Sequence, residues 1–288
     1  MSLELRRRAE LSSKQIAELD GAMAAFYRNP PANYYQMADQ AAQHYNAKEQ
    51  PFHCDLAACV SPGGFFLEIG CGTAHLCPHV EERGGIYTGI DYSEQLIAEN
   101  QRRFPRARFL RIGTPLTESF DIVASLYTIE HVVDPPAYLE LMWRHCRPGG
   151  LLAVICPEFV ECPSLPPSLF YGRTPRRLRQ KLRKLALADA FGHLVDLQVR
   201  GPLWQKRAQQ GPPGAFWMNL RPRVLHGAEY DIDADAVHLA RLRDLVFFFE
   251  QKGARIVRTS QTMPDVSPEV LRYNCYVLAR NPGEAAVK

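Results

Sequence analysis

The sequence predicts an open, doubly wound α/β fold built on a parallel sheet. Three observations carry that expectation. Between residues 65 and 156 short apolar runs alternate with helix-length segments, the pattern of parallel strands joined by right-handed crossovers. The first run, Phe65-Phe66-Leu67-Glu68-Ile69, passes into Gly70-Cys71-Gly72-Thr73-Ala74-His75, where two glycines allow backbone angles and a ligand approach that a Cβ would block. The second, Ile86-Tyr87-Thr88-Gly89-Ile90-Asp91, ends on a carboxylate 21 residues after Gly70, placed to accept hydrogen bonds from two ribose hydroxyls. A nucleotide-like ligand is therefore expected above the strands' carboxyl ends, facing the N–H groups of the following helix.

The elements follow in order. Residues 1–60 read as an N-terminal helical extension: Leu11 to Phe26 has helical spacing, Asn29-Pro30-Pro31 breaks it, and Tyr34 to Lys48 resumes it. Residues 61–156 form the cofactor-binding half, with strands at 65–69, 86–91, 108–112, 121–126 and 150–156 and helices at about 74–83, 93–103 and 135–146. From 157 to 235 the alternation stops and prolines cluster at 163, 166, 167, 175, 202, 212, 213 and 222. Such an irregular stretch reads as a lid that forms an acceptor pocket. Within it Arg173 to Lys184 holds seven basic residues on a helical segment, which suits an anionic acceptor, an anionic membrane surface or a solvated helix face. Residues 236–280 complete the sheet with a helix from His238 to Lys252 and strands at Ala254–Thr259 and Arg272–Ala279.

Whole-chain properties set bounds. A chain of 288 residues, 46% hydrophobic, can bury a full core, and a net charge of +3 gives no electrostatic case for nucleic acid. Eight cysteines without a C-x-x-C pair, and no signal peptide, point to reduced thiols and a cytoplasmic location. No apolar run approaches the roughly eighteen residues that span a bilayer. Cys71, His75, Cys77 and His79 share one turn and short helix and cannot surround an ion without disrupting the glycine ledge, so no metal is expected.

The dinucleotide fingerprint would need a third glycine at position 75, where this chain has His75. Later landmarks are Phe120-Asp121-Ile122-Val123-Ala124-Ser125-Leu126, then Glu130-His131-Val132-Val133-Asp134-Pro135, then Arg147-Pro148-Gly149-Gly150-Leu151-Leu152-Ala153-Val154. In this order they resemble the class I S-adenosylmethionine-dependent methyltransferases, particularly the quinone and small-molecule branch. The resemblance implies a Rossmann-like seven-stranded sheet with an antiparallel last strand and S-adenosyl-L-methionine as cofactor. It also implies that Glu68, Gly70, Cys71, Gly72 and Thr73 hold the methionine part, Asp91 the ribose, Tyr92 a face of the adenine, Gly113 and Thr114 its edge, and Ser125, Leu126 and Tyr127 the floor. The segment 113–119 is shorter than usual in that family and lacks the acid that commonly meets the adenine amino group.

Methyl transfer needs positioning and exclusion of water, and a general base where the acceptor is a hydroxyl or an acidic C–H. His131, His226 and His238 are the candidate bases, the last two flanking the acidic tract Glu229 to Asp235. Tyr35, Trp217, Tyr230 and Asp233 are candidate acceptor-binding residues, with Tyr34, His44 and Tyr45 further candidates in the extension. The expected function is O- or N-methylation of a small molecule, natural product or sugar-like and open to an anionic one, with release of S-adenosylhomocysteine. Carbon methylation of a quinone-like ring is the alternative within the class. A non-catalytic cofactor-binding scaffold and an NAD-dependent oxidoreductase are the alternatives outside it. Nucleic-acid methylation is disfavoured, because Tyr127-Thr128-Ile129-Glu130 stands where amino-methylating nucleic-acid enzymes carry Asn/Asp-Pro-Pro-Tyr/Phe.

Overall fold

The computed structural model describes residues 5–34, 36–37, 50–162, 165–169, 178–226, 230–264 and 266–283. The chain divides into two compact units: Met1–Ala41, Glu130–Pro135 and Glu158–Arg241 form one, and Ala42–Ile129, Pro136–Pro157 and Leu242–Lys288 the other.

The second unit holds a seven-stranded sheet: β1 (Phe65–Ile69), β2 (Ile86–Asp91), β3 (Arg108–Arg111), β4 (Phe120–Leu126), β5 (Cys146–Pro157), β6 (Arg255–Thr259) and β7 (Asn274–Arg280). Its spatial order is β3-β2-β1-β4-β5-β7-β6. The first five strands are parallel, with Phe65 opposite Ile86 and Phe66 opposite Ile122. β7 runs antiparallel to both β5 and β6, as the resemblance implies. The central strands are covered on both faces, and Leu67, Val123, Leu152 and Val154 have no exposed area. That burial is why they read as unbroken apolar runs rather than alternating ones. Phe66, Tyr87 and Phe109 form an aromatic row across β1, β2 and β3, the first two stacked with centroids 5.9 Å apart. The helix Glu94–Arg103 starts at Ser93, whose hydroxyl caps Leu96 N–H.

The C-terminal elements shift against expectation. The helix expected from His238 begins at Leu242, because His238 and Leu239 are a strand of the other unit paired with Met218 and Trp217. The strand expected from Arg272 begins at Asn274, because Ser267 caps a helix, Pro268–Tyr273, with proline in its first turn.

The first unit is more regular than its sequence suggests. Ser12 caps the helix Ser13–Arg28 in a reciprocal box with Gln15. The strand Leu5–Arg7, unexpected from the sequence, pairs antiparallel with Trp217–Asn219, which pairs in turn with His238–Leu239. Within the stretch expected to be irregular, residues 178–210 form helices Leu178–Arg183, Leu187–Val195 and Gly201–Gln210, the last two joined by a π-helical turn. Proline misleads here because Pro202 occupies the first turn of its helix, where no N–H partner is lost. A core of Leu5, Phe159, Trp204, Trp217 and Leu239 holds these elements together.

Candidate functional site

In the second unit, β1 ends in a turn fixed from several sides. Gly70 and Gly72 have φ of +77° and +49°, the left-handed region that favours glycine. Gly70 N and Cys71 N both donate to the Ile90 carbonyl, at 2.8 and 3.1 Å, which ties the turn to the end of β2. Asp91 closes the arrangement: one carboxylate oxygen accepts from Gly72 N at 2.8 Å and the other from Ser93 N at 2.9 Å. Asp91 is half-buried and Tyr92 beside it is 74% exposed, so a carboxylate and an aromatic face both border the turn. A Cβ at Gly72 or Gly113 would meet nothing within 4 Å, so the ground above these backbones is open.

Glu68 lies under this surface rather than on it. Its carboxylate is buried and accepts from the Tyr87 hydroxyl at 2.5 Å. Burial pushes its pKa up to about 8, against the lowering effect of that hydrogen bond. Ser125 is fully buried, its Oγ 2.9 Å from the Tyr138 hydroxyl, which donates to the Ile69 carbonyl at 2.8 Å. Tyr127, at φ +49°, places its hydroxyl 3.1 Å from Asn274 Oδ1. Gly113, at φ +89°, and Thr114 are exposed, with Thr114 N donating to the Arg111 carbonyl at 3.0 Å.

Three residues that support this turn were missed by sequence reasoning. Asn100, buried in the helix after β2, donates to the Gly72 carbonyl at 2.7 Å. Tyr138 anchors the end of β1 through Ile69, and Thr128 Oγ1 lies 3.1 Å from the Gly70 carbonyl. Only Asn100 left a signal: a polar residue among the apolar positions of an amphipathic helix.

The first unit contains a separate cluster. His131 Nδ1 stands 3.4 Å from Asp235 Oδ2 and its Nε2 stands 3.9 Å from Glu130 Oε1. Asp235 also accepts from Tyr27 at 3.0 Å and from Tyr230 at 3.1 Å. Around the tyrosines, Phe26, Tyr27, Tyr34 and Tyr230 pack with ring centroids 4.7 to 6.3 Å apart. Burial acts to lower the His131 pKa, but the charges of Asp235, Glu130 and Asp233 outweigh it and hold the imidazole above its ordinary value. Burial raises Glu130 to about 8 and Asp233 to about 6. Glu130, His131 and Asp233 offer ligand atoms within 4.8 Å of one another, a geometry open to a cation although no metal is expected from the residue spacing.

The structure thus brings His131, Tyr230 and Asp233 together and leaves other expected residues elsewhere. His226 is exposed after a short 3-10 turn, Arg223–Leu225. His238 is fully buried in its strand with its ring 5.7 Å from Phe216, and Trp217 is buried in the core, so neither ring is on a surface that an acceptor can reach. Tyr35, His44 and Tyr45 lie outside the described residues, as do Arg173, Arg176 and Arg177 of the basic segment.

The order β3-β2-β1-β4-β5-β7-β6, with β7 alone reversed among the described strands, defines the class I methyltransferase fold. The fold matches Burkholderia thailandensis 1,6-didemethyltoxoflavin-N1-methyltransferase, solved with bound 1,6-didemethyltoxoflavin and S-adenosylhomocysteine, at a TM-score of 0.54 and 14% identity, over 94% of this chain and 91% of that one. Residues 67–154 match the methyltransferase domain family. Over residues 67–154 the chain therefore carries a methyltransferase domain, set on the class I methyltransferase fold. It is 32% identical over 125 residues to trans-aconitate 2-methyltransferase of Deinococcus radiodurans, covering 41% of this chain and 48% of that protein. It is 29% identical over 140 residues to the ubiquinone biosynthesis O-methyltransferase of Nitrobacter winogradskyi, covering 46% and 51%. The chain thus spans about half the length of the curated relatives it matches.

Proposed function

We propose that the protein is an S-adenosylmethionine-dependent methyltransferase acting on an oxygen or nitrogen of a small-molecule acceptor. The observation that carries the reading is Asp91, fixed by Gly72 N–H and Ser93 N–H beside open backbone at Gly72. A carboxylate oxygen has lone pairs left after accepting one backbone hydrogen bond, which suits a ribose diol. The uncovered ring of Tyr92 suits an adenine face, and the backbone from Gly70 to Thr73 suits the amino-acid end. When bound, the cofactor supplies a methyl group activated by a sulfonium. The protein's share is to orient the partners and to manage the acceptor proton. His131 is the group equipped for the second task, because Asp235 faces its Nδ1 and two tyrosines hold that carboxylate in place. Such a base serves a hydroxyl acceptor, and the ubiquinone-biosynthesis relative is by name an O-methyltransferase.

Calorimetric titration with S-adenosylmethionine and S-adenosylhomocysteine, with NAD as control, tests the first half of the reading. Micromolar binding of both sulfur nucleotides without binding of NAD is expected, and absence of binding in folded protein would overturn it. Release of S-adenosylhomocysteine across a panel of hydroxyl, amine and quinol acceptors then tests the second half.

A further inference from the structure

In the first unit, the segment 178–210 turns its apolar side chains outward. Leu187, Phe191 and Leu194 recur at helical spacing, share one face of the helix Leu187–Val195, and are 63, 69 and 42% exposed. Only Ala190 of that helix is buried, so the stripe that a soluble helix normally packs inward faces water here. Leu182, Leu185 and Leu203 extend the same display. Together with Val199, seven of the thirteen exposed large hydrophobic side chains among the described residues belong to this segment.

Its charge is equally one-sided. Seven basic residues stand against two acidic ones, a net +5 within a chain whose total is +3. Both acids are taken, Asp189 by Lys181 at 3.4 Å and Asp196 by Arg200 at 3.0 Å. What remains exposed is Arg179, Arg183, Lys184, Lys206 and Arg207, with no acid. Leucine and phenylalanine flanked by arginine and lysine on short helices is the pattern that seats in the headgroup region of an anionic bilayer. A second copy of the chain fits poorly, since a symmetric contact through this face would set like charges together. No helix among the described residues is long and apolar enough to cross a membrane, so any attachment through these helices is to the surface.

We propose that this face docks the protein on an anionic lipid bilayer, with Leu187, Phe191 and Leu194 entering the headgroup boundary and the arginines and lysines meeting lipid phosphates. The test is cosedimentation of the full chain with vesicles of mixed phosphatidylglycerol and phosphatidylcholine, against vesicles of phosphatidylcholine alone. Partition at least about ten-fold stronger onto the anionic vesicles is expected, lost at high salt, since each cation near such a surface is worth about five-fold. The exposed-site variants Phe191→Glu/Leu194→Glu and Arg183→Glu/Lys184→Glu should each lower that partition by about ten-fold or more while far-ultraviolet circular dichroism stays unchanged. Equal partition onto both vesicles, or none, overturns the proposal on wild-type protein alone, even if a variant fails to fold. A dimer in solution that Phe191→Glu/Leu194→Glu dissolves would also overturn it, assigning the face to a second copy.

Discussion

Asp91→Ala separates the proposed cofactor role from a merely structural one. The substitution removes the acceptor for Gly72 N–H and Ser93 N–H, two hydrogen bonds of 2.8 and 2.9 Å to a half-buried carboxylate. Hydrogen bonds to charged groups are worth about 1.5–3 kcal/mol each, but water can replace the carboxylate at this half-exposed position, so a net stability loss of about 1–2 kcal/mol is expected. Binding should suffer more. A ribose diol held by the carboxylate would lose about 2–4 kcal/mol, which is about 30- to 1000-fold in affinity for S-adenosylhomocysteine. Asp91→Asn keeps an acceptor oxygen for one of the two backbone groups, so it should recover part of the stability while binding stays weak. The assay is calorimetric titration with S-adenosylhomocysteine beside thermal melts of all three proteins. Affinity within about three-fold of wild type in a folded Asp91→Ala protein would refute the ribose assignment, since that corresponds to well under 1 kcal/mol.

Three further outcomes follow from the same geometry. Gly70→Ala forces a Cβ onto a backbone at φ +77° and sets it 2.8 Å from Thr128 Cβ and closer still to Cγ2 and Oγ1. Backbone strain alone costs about 1–2 kcal/mol and the clash adds to it, so denaturant melts should show a loss of about 3 kcal/mol or more, eased but not abolished by Thr128→Ala. Glu68 has a folded pKa of about 8, above its unfolded value, so the folded state holds the proton more tightly and stability should fall as pH rises from about 4.5 to 8. Glu68→Gln should flatten that decline in melts between pH 5 and pH 8, leaving the part due to Glu130, which is also raised to about 8. Asp235→Asn removes the largest contribution raising the His131 pKa. If His131 is the base, the acid limb of the pH–rate profile should move to lower pH and the rate should drop, whereas an unmoved limb would exclude that role. Below its unfolded pKa, protonated His131 also adds stability in the wild type, lost as pH climbs past the folded value, and Asp235→Asn should reduce it.

The alternation from 65 to 156 was legible because parallel strands buried on both faces must be apolar along their whole length. Each of those strands begins and ends within a few residues of its expected position, β5 departing most, at Cys146. The glycine turn and Asp91 were equally legible, since left-handed backbone and a charged strand end are local features. Between 157 and 235 the helices and strand that replace the expected irregular backbone were not legible, for the opposite reason. The strand Trp217–Asn219 exists because Leu5–Arg7 and His238–Leu239 lie beside it, and no periodicity in its three residues could announce that. Asn100 and Tyr138 went unnoticed as supports of the turn because their partners, Gly72 and Ile69, lie 28 and 69 residues away in the chain.

By itself, then, the sequence determined which strands form the central sheet and where the glycine turn and the acid that ends β2 fall, because these depend on runs of neighbouring residues. Tertiary structure decided the rest. It buried His238 and left His226 exposed, carried Asp235 to His131, and turned Leu187, Phe191 and Leu194 toward water, since the packing of distant segments, rather than local spacing, settles which face of a helix is covered and which charges meet.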